Sequence, residues 1–137
     1  MTPSIIYNIL NSRITEIAAR VLLTFPFWGS GLSKLINFNT EAVPEMEKYG
    51  LQPAVAIAVL TIIVQLGGSL LVILKKATWL GAGALGVFTF LTIVLVHTFW
   101  KLEGEHALFA FYTATEHVGM IGGLIGIAIL SIRPRQP

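Results

Sequence analysis

The chain has 137 residues, 55% of them hydrophobic and 12% charged, with a formal net charge of +2 and a mean hydropathy of +0.79. An ordinary soluble domain carries about 25% charged residues, so the composition describes one small domain (1–137) dissolved in lipid. The absence of cysteine excludes disulfides, thiol redox chemistry, c-type haem attachment and cysteine-ligated zinc or iron–sulfur centres, and nothing in the charge pattern suggests nucleic acid.

Residues 1–12 place Ile5, Ile6, Ile9 and Leu10 at roughly helical spacing, which predicts a short interfacial helix. They lack the basic start of a secretory signal. A first span is expected over residues 14–35, kinked at Pro26. Glu16 and Arg20 are four apart and share a face, and at about 100° per residue Gly31 and Lys34 return close to it. A polar stripe on an apolar helix turns away from lipid. A buried network of Glu16, Arg20 and Lys34 is therefore expected, with Gln65 reaching it from the second span. Arg20 should meet a polar partner there, with Glu16 and Gln65 the leading candidates. The pair Glu16–Arg20 reads either as an ion pair that fixes helix rotation or as part of a ligand site.

The one long polar stretch, residues 37–53, contains cap-forming Asn39 and Thr40, an apolar side of Ala42, Val43, Met46 and Tyr49, and a terminating Gly50. It predicts a short amphipathic helix on or in the outer membrane surface, after which Pro53 takes the first position of the next helix. A second span covers residues 54–74, with Thr61, Gln65 and Ser69 on one face and Gly67-Gly68 permitting close helix approach. Gln65 serves either as interhelical glue or as a ligand contact. Lys75-Lys76 makes a very short turn, so the second and third spans are antiparallel neighbours.

The third span, residues 79–100, contains no Asp, Glu, Lys or Arg and is bounded by Trp79 and Trp100. At roughly 1.5 Å per residue it covers about 30 Å, the thickness of a bilayer core. His97 is the one ionisable group in it. A loop then carries Lys101, Glu103, Glu105 and His106. An aromatic segment leads into a fourth span at residues 113–132, which begins with Glu116 and His117 and carries glycines four apart. The fold class expected is all-α: a four-transmembrane-helix bundle with an amphipathic helix between the first two spans. Arg13, Lys75, Lys76, Arg133 and Arg135 fall on one side, which places both termini in the cytoplasm and, in a bacterium, the chain in the inner membrane.

Several stretches carry a family resemblance: Arg20 with VLLTFPFWGSGLSKL, then YGLQP at 49–53, QLGGSLLVIL, VHTFW and EHVGMIGGLIGIAIL, in that order. Together they resemble the DoxX family of small four-helix bacterial and archaeal membrane proteins. The resemblance implies a small integral subunit linked to redox enzymes. One branch is associated with thiosulfate oxidation using quinone as acceptor, and another is proposed to join a membrane-bound oxidative-stress complex. The chain has Gln65 where the family often has Glu, and Glu116-His117 where its fourth helix often begins Lys-Asn.

His97 and His117 lie at the outer ends of antiparallel spans and are expected to face each other. Two such histidines suit structural hydrogen bonding, a quinone head or a metal or haem, but no tight metal-ligand spacing such as HExxH is present, and no metal site is assigned. The sharpest expectation is a pocket lined by His97, Trp100, Glu116 and His117 at the outer end, closed by residues 39–50. The candidate ligand-binding residues are thus Arg20, Gln65, His97, Trp100, Glu116 and His117. Three function classes remain open: a quinone-linked oxidoreductase subunit with a redox-enzyme partner, a non-catalytic scaffold, and a small proton-coupled exporter working as a homo-oligomer.

Overall fold

A computed structural model describes residues 3–133, and all regular structure among them is helical. Arg135, one of the charges used for orientation, lies outside the described residues. Helix α1 (Ser4–Leu10) buries nothing and leaves Ile5, Ile6, Tyr7, Ile9 and Leu10 exposed, as a helix lying at a membrane interface would. Ser12 caps α2 (Arg13–Ile36), its hydroxyl accepting from the Thr15 N–H at 3.1 Å. α2 continues through Pro26. One turn earlier the Val21 carbonyl accepts from the Trp28 indole at 3.2 Å.

Arg20, Thr24, Phe27, Gly31 and Lys34 are the buried residues of α2. Their alternating spacing of four and three is a knobs-into-holes seam. It packs against α4 (Ala54–Ile73), closely enough that a Cβ on Gly31 would stand 3.0 Å from Leu66 and 3.1 Å from Gln65. α4 turns into α5 (Thr78–Leu95) through Lys75 and Ala77, both with positive φ. The two helices then cross so closely that a Cβ on Gly81 would come 2.6 Å from the Gly68 carbonyl oxygen. α5 packs in turn on α6 (Gly104–Ile132), while α2 and α6 make only slight contact. The core of this row is Phe27, Val72, Ala82, Leu85 and Leu124.

The polar stretch after α2 makes one π-helical turn (Phe38–Ala42) and α3 (Val43–Lys48), which ends before Gly50 at φ 68. Neither is capped by the Asn39 or Thr40 side chain. α3 is fastened to the bundle: Ala42 and Met46 form a second core with Ala54, Ala58 and Ile62. Pro53 is the residue before α4 and not its first helical position.

Two boundaries differ from the sequence reading. α5 ends at Leu95, where the Thr92 carbonyl accepts from both Val96 and His97 N–H at 2.9 Å. His97 therefore lies in the connection, and Trp100 in a separate 3₁₀ turn (Phe99–Lys101), so the two do not share a helical face. α6 begins at Gly104, well before residue 113, because Ala110 and Ala114 give the aromatic segment a buried i,i+4 face. The chain must reverse direction before α6, and the early end of α5 supplies the residues for that turn.

Among the described residues, three stretches are long and apolar enough to cross a bilayer: Ala54–Ile73, Thr78–Lys101 and Gly104–Ile132. α2 is long enough at 24 residues, but Arg20 and Lys34 among its apolar residues keep it out of that group.

Candidate functional site

The buried seam of α2 carries one cation near each end. Arg20 and Lys34 are 14 positions apart, or roughly 21 Å along a helix, and each organises its own polar cluster.

Arg20 is 5% exposed. Its Nη1 donates to the Val72 carbonyl at 2.7 Å and to the Thr78 hydroxyl at 3.1 Å, and its Nη2 stands 3.4 Å from Glu16 Oε1. Lys75 pairs with the other oxygen of Glu16. The cluster thus joins α2 to both sides of the α4–α5 turn. Of the two expected partners Arg20 meets Glu16 and not Gln65. Helical rise separates them, and the end of α4 offers its backbone carbonyl instead.

Gln65 belongs to the second cluster. Its Nε2 donates to Ser30 Oγ at 3.3 Å, and Lys34 Nζ donates to the same oxygen at 3.1 Å. Lys34 is paired with Glu45 Oε2 at 2.7 Å and approaches Glu41 Oε1 at 4.0 Å, while Ser33 donates to the other oxygen of Glu41 at 2.6 Å. The four residues expected to form one network therefore divide between the two ends of α2.

The second cluster borders a cavity of about 880 Å³. Phe27, Val64, Phe88 and Met120 belong to its apolar wall, and Ser30, Lys34, Glu45, Gln65, His97 and His117 form its polar part. The imidazoles of His97 and His117 meet edge to face with ring centroids 4.8 Å apart. Two buried polar atoms there, Gln65 Oε1 and His117 Nδ1, have no hydrogen-bond partner among the described residues. Exposed Leu60, Trp79, Val87 and Leu91 line the rim on α4 and α5. These apolar rim residues open the cavity sideways, toward lipid.

Trp100 and Glu116 do not line this cavity, and both are exposed. Trp100 leaves because α5 has already ended. Glu116 leaves because its neighbour His117 takes the inward face of α6. Residues 39–50 contribute Glu45, Met46 and Tyr49 to the lining. Sequence reasoning did not single out Ser30, Glu45 or Thr78. For Glu45 a signal exists: it directly precedes Met46 and lies four residues before Tyr49, both on the apolar side of α3. Among the described residues no group of three or more His, Cys, Asp or Glu is placed to hold a metal ion.

The DoxX family model matches residues 16–98, more than half of the chain. The chain belongs to the DoxX family. The match takes in Arg20, Lys34, Gln65 and His97, and it stops before α6 and His117. No curated protein and no solved structure matches the chain. With three apolar helices of spanning length, this DoxX-family chain is a small integral membrane protein in contact with the bilayer.

Proposed function

We propose that this DoxX-family protein binds a quinone in the cavity between α2, α4, α5 and α6, as a small membrane subunit of a quinone-linked redox system. The supporting observation is the cavity itself: apolar walls, a lipid-facing rim, and a polar part where Gln65 Oε1 and His117 Nδ1 are buried and unpartnered. Such groups are costly to bury unless something meets them. Lys34 and Gln65 Nε2 offer donors for a quinone carbonyl, while Gln65 Oε1 offers an acceptor for a quinol hydroxyl. The set therefore suits either oxidation state, and the groove suits an isoprenoid tail.

In this reading α2 is a fourth span, since its cations are turned inward and paired. Basic residues collected beside the α4–α5 turn support a reading in which both termini lie in the cytoplasm and the cavity's polar part faces the outer side of a bacterial inner membrane.

Trp79 lies on the cavity rim, which supplies the assay. Titration of the detergent-purified protein with a short-chain ubiquinone should quench indole fluorescence saturably. Gln65→Leu and His117→Leu should abolish the saturable part, and Trp79→Phe should remove most of the signal. Equal quenching in the wild type and both polar variants refutes the site. For topology, single cysteines at Ser131 and Glu103 should label from opposite sides of the membrane; labelling of both from one side refutes four spans.

A further inference from the structure

The opposite end of the bundle has a cavity of its own, about 750 Å³, where α1, α2, the α4–α5 turn and α6 converge. Its lining carries three cations, Arg13, Arg20 and Lys75, and one carboxylate, Glu16. Glu16 is shared between Arg20 and Lys75, so the lining holds a surplus of positive charge. Arg20 is almost fully buried, and its Nε has no hydrogen-bond partner among the described residues. The guanidinium is therefore not saturated by Val72, Thr78 and Glu16. The remaining wall is apolar, with Leu10 from α1 and Ile127 and Leu130 from α6.

We infer that this cavity is a binding site for an anionic phospholipid, whose phosphate is held by Arg13, Arg20 and Lys75 and whose acyl chains lie along the apolar wall of Leu10, Ile127 and Leu130. Each part of the site matches a part of that ligand. A basic pocket between membrane helices attracts an anionic headgroup. Arginine also offers planar donors suited to phosphate oxygens. A soluble anion would need only the cations; the apolar wall at Leu10, Ile127 and Leu130 selects a ligand with hydrocarbon attached. A zwitterionic lipid brings its own cation and gains less from the surplus charge. The site is separate from the quinone cavity and does not depend on that reading.

The experiment is thermal unfolding of the full-length protein in mild detergent, titrated separately with phosphatidylglycerol, phosphatidylcholine and inorganic phosphate. Phosphatidylglycerol should raise Tm saturably, and the other two should not. Arg13→Gln, at an exposed position, should weaken apparent phosphatidylglycerol binding about five-fold, and Lys75→Asn by a similar factor. Asparagine tolerates the positive φ of position 75, which keeps the turn intact. Leu130→Trp, which crowds the apolar wall without changing charge, should also weaken binding. Equal stabilisation by the two lipids, or variants that bind like the wild type, overturns the site. A shift reproduced in full by inorganic phosphate replaces the lipid with a free anion and overturns it as well.

Discussion

The two ends of α2 solve one problem differently. Each buries a cation that lipid would reject. At Arg20 the solution is structural: a backbone carbonyl, a hydroxyl and a shared carboxylate tie α2 to the α4–α5 turn. At Lys34 the charge is met by Glu45 and Ser30, but the same neighbourhood keeps a large cavity and leaves Gln65 and His117 with unmet polar atoms. The difference lies in what surrounds each cation: at Arg20 the polar groups tie three helices together, whereas at Lys34 they border the larger of the two cavities. Burial alone does not tell them apart, because both cations are buried.

Replacement of Arg20 should have the largest effect on stability. Arg20→Leu removes the ties to Val72 and Thr78 and is expected to cost about 3 kcal/mol, the low end for breaking a buried pair, because Glu16 keeps Lys75. Unfolding in mild detergent measures it, and a loss under about 1 kcal/mol would show that the Arg20 cluster is not the structural one. Glu45→Gln should cost less, about 1–2 kcal/mol, since Lys34 retains Ser30 and the nearby Glu41. It should also loosen α3, read as faster hydrogen exchange over Val43–Lys48.

Gln65→Leu sharpens the comparison most. It removes a buried acceptor that has no partner and one bond to Ser30, so stability should change by less than about 1 kcal/mol. Quinone binding should nevertheless be lost. A large loss of stability would move Gln65 into the structural class. The smallest effects belong to Trp100→Phe and Glu116→Gln. Both side chains are exposed and outside the cavity, so changes within about 0.5 kcal/mol and unaltered quinone binding are expected.

Legibility in the sequence followed the range of the interactions. The inward face of α2 was readable because Arg20 and Lys34 lie on one stripe, and a stripe depends only on helical periodicity. The meeting of His97 and His117 was readable for a similar reason, since antiparallel helices joined by a short connection bring those ends together. The partner of Gln65 was not readable. Whether it meets Arg20 or Ser30 depends on the register between α2 and α4, which is fixed by side-chain packing such as Leu66 against Gly31. Glu45 was obscured by its setting in a polar stretch, where a carboxylate reads as solvated until α3 is seen fastened to the bundle.

The sequence by itself determined that the chain is helical and membrane-embedded, where α2 and α4 run, and which residues are too polar to face lipid. Those properties follow from composition and local period, which every residue carries with it. Only the tertiary structure decided that the polar residues divide into two clusters, that α5 stops before His97, and that Trp100 and Glu116 stand outside the cavity. Each of these depends on how one helix is placed against another. That placement is set by the summed packing of many weak contacts, and no single stretch of the chain encodes it.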